Sequence, residues 1–452
     1  MRNSTVADMT QGAILSHILA FAVPLFLGNV FQQLYNTADC FVVGHFLGWE
    51  ALAAIGSTSQ LILAVIVFFN GFATGMQVVI SQCFGAKDML RLKRAIHTTV
   101  FSSVFICILM TLLGLLLSPV LLRLIKLPKN VFDSASSYLE IYFCGISFLI
   151  LYNIGSGILR ALGDSRRPLY FLVFSSLVNI AFDFLFVAVF KWGVRGVAFA
   201  TVISELVSII PVFYALFCTG NFYTVSLRDM RIDFPLLFEM LRIGLPGAIS
   251  ASLTAFSNTF MQKYVNAFGA ACIAGWAVFA RFDQLVIMPM MSISFATTTF
   301  VSQNFGANQW KRIQSGVRLS LGVMLLLVAL ISAFLFVFSK ELSAFFVDDA
   351  ESLRYSSRFI RCTAPFYVLC ALCMLFSQIL RGLGDSFVPT VITFSGFVLL
   401  RQAFLFISTR LTRNFLVVAL AYPIVWIFTT VAMLIYYRLQ FTMNGMSKRK
   451  IL

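Results

Sequence analysis

Residues 158–168 read ILRALGDSRRP, and residues 379–389 read ILRGLGDSFVP. Eight of the eleven positions are identical, and the shift is 221 residues. The stretch spells a turn between two helices. Leu-Gly ends the first helix, because Gly accepts the left-handed conformation of a C-terminal cap. Asp-Ser opens the next, because short oxygen side chains accept the free amides of a first turn. Pro168 and Pro389 fall early in that helix, where a missing N–H costs little. Arg160 and Arg381 sit in the turn before the Gly, where positive charge suits a helix end. Asp164 and Asp385 are therefore read as structural.

Other echoes share the spacing. SQCFGA at 81–86 returns as SQNFGA at 302–307, and Pro24 and Asn36 return as Pro246 and Asn258. The second pair is shifted by 222 residues, which one insertion explains. The chain thus reads as two copies of one unit, 1–220 and 221–452. Each copy holds an even number of spans, so the copies share one orientation. They form a parallel repeat about an axis along the membrane normal.

Composition sets the solvent. Of 452 residues, 60% are hydrophobic and 11% charged, with 50 Phe and a mean hydropathy of +0.92. A soluble domain carries about 25% charged residues. Segments of about 20 apolar residues cross a bilayer as helices. Twelve are expected, near 14–46, 51–82, 94–118, 133–159, 166–190, 193–219, 236–267, 270–303, 313–338, 353–380, 386–409 and 413–438. The expected fold is all-α and integral to the membrane. It has twelve transmembrane helices in two pseudo-symmetric six-helix bundles. No cleavable signal peptide is read at the N-terminus.

The net charge of +15 does not point to nucleic acid, because Lys and Arg gather in short loops between spans. They are more numerous on the side of the two termini, which places both ends in the cytoplasm. Arg2, Lys126, Arg413, Lys448, Arg449 and Lys450 all enter that comparison. The nine Cys are scattered, and Cys370 and Cys373 read as packing. The three His are dispersed, and no metal ligand set or nucleophile–base pair is present, so no enzyme and no cofactor is expected.

Ionisable residues inside spans are costly and mark function. In the first copy these are Asp39 and Asp183. Asn36 and Asn179 stand one helical turn earlier on the same faces. At 1.5 Å per residue, Asp39, Asp183 and Thr201 each lie roughly 12 Å below the outer ends of their spans. They share one layer that suits a cation or a proton. Like charges and loss of water both favour a protonated carboxyl. The bland alternative is that they satisfy buried amides or a structural water. In the second copy Asp39 becomes Met261, and Asn179 and Asp183 become Leu400 and Phe404. That copy is expected to bury Lys263, Arg281, Asp283 and Arg401 instead, with Asp283 pairing to Lys263 or Arg401.

The chain resembles the multidrug and toxic compound extrusion (MATE) family of bacterial secondary transporters. The likeness rests on DMTQGAILSHILAFAVPLFLGNVFQQLYNTADCFVVG at 8–44, on both GDS turns, on both SQ-x-FGA stretches and on RFDQLVIMP at 281–289. It covers essentially the whole chain. It implies a V-shaped pair of bundles around a central cavity. It also implies export of organic, often cationic, compounds driven by H⁺ or Na⁺ entering. The family's acidic residue of the first helix falls on Asp39, the Asn and Asp of the fifth on Asn179 and Asp183, and a Thr of the sixth on Thr201. These four are the expected coupling site, and the only metal expected is Na⁺ there. Asn36, Asn153, Asn258 and Asp283 are pocket candidates. The expected setting is the bacterial inner membrane, as a monomer, with no nucleic-acid partner. The alternative function is a flippase or exporter of a lipid-linked or polysaccharide precursor, for which a strongly basic cavity is expected.

Overall fold

The computed structural model describes residues 6–124, 127, 129–412 and 414–444. Arg2, Lys126, Arg413, Lys448, Arg449 and Lys450, used above to orient the chain, lie outside the described residues. Among the described residues, twelve helices are long and apolar enough to cross a membrane. In the first repeat they are α1 (Ile14–Phe46), α2 (Trp49–Gly85), α3 (Met89–Leu124), α4 (Lys129–Ala161), α5 (Arg166–Val189) and α6 (Val194–Cys218). In the second they are α7 (Phe234–Asn266), α8 (Ala270–Gly306), α9 (Trp310–Val337), α10 (Ala350–Gly382), α11 (Phe387–Leu411) and α12 (Leu416–Asn444). α3 begins several residues before the apolar run, because Arg91, Lys93 and Arg94 extend it as a polar first turn. Pro24, Pro246 and Pro289 lie within continuous helix.

The chain forms two compact units. One comprises Met1–Gln11, Ala20–Gly244 and Gly306–Asn308. The other comprises Gly12–Leu19, Leu245–Phe305 and Gln309–Leu452. The first therefore takes in the linker after α6 and the first turns of α7. His97 on α3 accepts the Ser226 N–H at 3.0 Å, and Thr98 accepts that of Asp233 at 3.0 Å. Arg91 pairs with Glu239 at 2.7 Å.

Lipid gives apolar surfaces no reason to leave it, so helices associate through close packing and polar bonds. α4 is the hub of the first unit and packs on α2, α3 and α6. Gly145 makes the α4–α6 approach, since a Cβ there would stand 2.4 Å from Val202 Cγ2. α3 turns Phe105, Leu109, Leu112 and Leu116 outward. In the second unit α8 is deeply buried and rich in hydroxyls. Thr297, Thr298 and Ser302 each donate to the carbonyl four residues back, as lipid-buried hydroxyls must find a local acceptor.

The duplication reaches individual hydrogen bonds. Ser81 Oγ meets the Ala161 carbonyl at 3.1 Å, and Ser302 Oγ meets that of Gly382 at 3.1 Å. Both GDS turns close alike. Asp164 N–H donates to Leu159 and Gly163 N–H to Arg160, as Asp385 does to Leu380 and Gly384 to Arg381. Gly163 and Gly384 have φ of 87° and 94°, the left-handed caps the sequence calls for.

Candidate functional site

The polar interior of the first unit is built on α1, α4, α5 and α6. α1 contributes Tyr35 and Asp39, four residues apart and hence on one face. α5 contributes Asn179 and Asp183 in the same relation. A π-helical turn, Phe184–Val189, starts directly after Asp183. Such wide turns interrupt the regular ladder and occur often at functional sites. α4 contributes Tyr138 and Tyr142, whose rings stack at 6.3 Å. α6 contributes Thr201 and Glu205.

Asp39 and Asp183 come within electrostatic reach of one another. The Tyr35 phenol neighbours Asp39, and the Tyr138 phenol neighbours Thr201. Thr201 donates to the Val197 carbonyl at 3.0 Å, which leaves its oxygen free to accept. Asn179 and Asp183 are each 1% exposed. Neither side chain has a hydrogen-bond partner at any of its polar atoms, and Asp39 Oδ1 is also buried and unpartnered. Among the described residues, no Lys, Arg or His lies within electrostatic reach of Asp39, Asp183 or Glu205. Buried polar groups are ordinarily bonded, and buried charges ordinarily paired. Orphaned buried oxygens of this kind have the chemistry to accept a proton or to ligate a cation.

The pocket candidates divide between the units. Asn36 is exposed on α1, and Asn153 is half-buried further along α4 than the tyrosines. Asn258 and Asp283 belong to a different cluster, in the second unit. There Arg401, 1% exposed, donates from Nη1 to Asn258 and lies over the rings of Phe397 and Tyr422. Asp283 accepts the Tyr367 hydroxyl at 2.8 Å and lies within electrostatic reach of Arg401.

Two sequence readings are corrected. Lys263 and Arg281 are exposed rather than buried. Long cationic side chains can leave an apolar helix surface for its margin, and Arg281 lies 5.4 Å from the Phe346 ring. The count of buried carboxylates was also short. Glu205 lies inside α6, half-buried, with Oε2 wholly buried and unpartnered. The signal was available: a glutamate one turn past Thr201 in an apolar span. Tyr35, Tyr138 and Tyr142 carried no such signal, because phenols are uncharged near neutrality.

Twelve helices able to cross a membrane, with acidic groups buried among them, define a multi-pass membrane protein. Comparison with known proteins gives the particular kind. The MatE family model matches residues 24–185 and again 246–407, once per repeat. The chain belongs to that family, whose members are transporters and are ion-coupled. It is 30% identical over 380 residues to the probable multidrug resistance protein YoeA of Bacillus subtilis, covering 82% of each chain. It is 28% identical over 439 residues to YpnP of the same organism, covering 95% of this chain and 96% of the relative. It is 26% identical to the probable multidrug resistance protein NorM of Thermotoga maritima, covering 84% and 82%. An outward-facing multidrug resistance MATE transporter of known structure superposes with a TM-score of 0.90 at 22% identity, covering 100% of both chains. At that identity the likeness speaks to the fold.

Proposed function

We propose that this chain is an antiporter that exports organic cations across the bacterial inner membrane in exchange for H⁺ or Na⁺. Asp39 and Asp183 bind the coupling ion, with Asn179 and Thr201 as neutral oxygen ligands. The two repeats, 1–220 and 221–452, rock about the site in alternating access, with both termini cytoplasmic and the monomer as the working unit. The observation that carries the reading is the Asp39–Asp183 pair with no basic partner. Two like charges held together out of water are unfavourable until a cation enters or a proton is shared. A ligand shifts a conformational equilibrium only by its differential affinity for the two states. An ion that neutralises the pair therefore has leverage on whichever state holds the carboxyls closest. Asn36 and Asn153 serve as further polar groups of the first unit, and Asn258 and Asp283 as polar groups of the second. The acidic interior of the first unit favours this reading over a flippase or exporter of a lipid-linked or polysaccharide precursor, for which a strongly basic cavity is expected.

The test is uptake of a fluorescent organic cation into inverted vesicles, with a proton gradient and a sodium gradient imposed separately. The gradient that drives uptake names the ion. Uptake driven by neither overturns coupled transport.

A further inference from the structure

The start of α10 carries an ordered charge that the proposed exchange does not use. Arg354, Arg358 and Arg361 are spaced by four and three residues, which puts them within about 60° of one another around the helix. All three are exposed. Ser352, Ser356, Phe359, Ile360 and Thr363 form the buried face behind them. Among the described residues, none of the three arginines forms an ion pair. The acidic residues of this segment, Asp348, Asp349 and Glu351, precede the stripe, and Asp349 is engaged in capping the helix through Ser352.

Two of the guanidinium groups are held in place. Arg361 Nε donates to Ser339 Oγ at 2.7 Å, and Ser339 is wholly buried. The Arg358 guanidinium lies 5.9 Å from the centre of the Phe415 ring. Both contacts leave N–H groups over, since a guanidinium carries several donors in one plane. A planar fork already held by its neighbours loses less freedom when it meets a phosphate.

The depth of the stripe suits a lipid headgroup. α10 is 33 residues long, about 50 Å, against about 30 Å of hydrocarbon. The arginines stand roughly 6, 12 and 17 Å from its first residue. Phe338 and Phe345, both exposed, flank the short helix Ser339–Ala344 that supplies the Arg361 contact. Aromatic side chains of this kind favour the boundary between headgroups and acyl chains. With twelve spans, α10 starts on the side opposite the termini, which the proposed orientation makes the outer one. Basic residues there do not help to orient the chain, so the stripe has another cause.

The first repeat supplies the contrast. At the shift of 221 residues, Arg354, Arg358 and Arg361 correspond to Asp133, Ser137 and Glu140 on α4. Asp133 and Glu140 are exposed too, and Ser136 donates to Glu140 at 2.9 Å. One copy turns acid outward where the other turns arginine, so the fold itself does not demand the stripe.

We infer that the Arg354–Arg358–Arg361 face of α10 binds the phosphate of an anionic phospholipid in the leaflet opposite the termini. Arginine forks match phosphate oxygens in pairs, and basic residues at a headgroup layer attract anionic lipid. The inference does not depend on which compound is exported.

The test is native mass spectrometry of the full-length purified protein in detergent, titrated with phosphatidylglycerol and, separately, with zwitterionic phosphatidylcholine. Wild type is expected to bind phosphatidylglycerol more tightly. In the triple variant Arg354→Gln, Arg358→Gln, Arg361→Gln that affinity is expected to fall roughly tenfold or more, as loss of charge-assisted hydrogen bonds implies, with phosphatidylcholine unaffected. The triple change to Lys should recover part of it. An unchanged affinity for phosphatidylglycerol in the Gln variant overturns the inference, as does an equal fall for both lipids. An equal loss on changing Lys87, Lys93 and Arg94 to Gln would show general attraction to a basic protein and overturns it too. Displacement of the lipid by inorganic phosphate at equal concentration would make this a site for a free anion and overturns the assignment to lipid. Should the triple Gln variant aggregate, the double variant Arg354→Gln, Arg358→Gln keeps the Arg361–Ser339 bond. It is expected to lose about threefold, the smaller share of the same bonds, and no loss there overturns the inference.

Discussion

Asp39 on α1 and Asp183 on α5 lie within electrostatic reach of one another inside the first unit, and neither forms an ion pair with a basic residue among the described residues. An arrangement of this kind works against stability and so requires another reason to exist. Replacing either residue by the isosteric amide should remove the repulsion while keeping the shape. Asp183→Asn is expected to abolish coupled transport, by about a hundredfold or more, while leaving the melting temperature equal to or above that of wild type. Thermal unfolding followed by fluorescence-detected gel filtration, beside the transport assay, checks both halves. A variant that loses activity and also melts earlier would mark Asp183 as a structural residue.

The repeated GDS turn makes a second contrast. Asp164 accepts the N–H groups of Arg166 and Arg167, both at 3.1 Å, and pairs with the Arg167 guanidinium. In the second copy Phe387 and Val388 replace those arginines, and Asp385 accepts the Tyr436 hydroxyl instead. Asp164→Ala is expected to destabilise by about 1–3 kcal/mol, through lost caps and an uncompensated arginine. Asp385→Ala should cost about 1 kcal/mol, the worth of one hydrogen bond. Denaturation curves of the two variants should differ in that order, and equal losses would show that the turns do the same work.

Helix approach at Gly145 gives a third expectation. A Cβ there would sit 2.4 Å from Val202 Cγ2, and valine has little rotamer freedom in a helix with which to yield. Gly145→Ala is expected to lower thermal stability by about 1–3 kcal/mol. Val202→Ala should restore much of it in the double variant. A double variant no better than the sum of the singles would mean that the two residues are not coupled.

A fourth expectation concerns pH outside the membrane. Asp349 caps the start of α10, accepting the Ser352 N–H and hydroxyl, both at 2.8 Å. Those bonds hold its carboxyl below the ordinary carboxylate value, with the Ser352 amide as the main cause. A depressed carboxyl contributes above its unfolded value, about 3.9, and the contribution fades as pH falls through the folded one. Amide exchange in the first turn of α10 should therefore quicken at low pH beyond its intrinsic change. It should be already fast, with no such extra step, in Asp349→Ala.

The fold was legible because its causes are local and repeated. Span length, the two GDS turns and the two SQ-x-FGA stretches each carry the architecture without long-range knowledge, and Ser81 and Ser302 show the repeat holding at the level of one bond. Buried acidic groups were legible where charge sits deep in an apolar run, as at Asp39 and Asp183. Burial was less legible where depth does not fix direction. Lys263 and Arg281 lie within apolar helices yet reach outward, whereas Arg401 in a similar run is enclosed by Phe397, Tyr422 and Asn258. Which face a helix buries is set by its neighbours, and that information is spread over the whole chain. Tyr138 and Tyr142 show the same limit: nothing in their own sequence separates a phenol beside a carboxylate from one in the core.

The most direct measurement of the central claim is ion release on drug binding by the purified protein. With the protein in lightly buffered detergent solution, tetraphenylphosphonium is added while pH is recorded, and in parallel displacement of radioactive sodium is followed. Wild type should release one kind of ion in step with drug binding, and Asp39→Asn and Asp183→Asn should bind drug while releasing none. Release from both variants equal to that of wild type would contradict the account, because the coupling ion would then be held somewhere other than between Asp39 and Asp183.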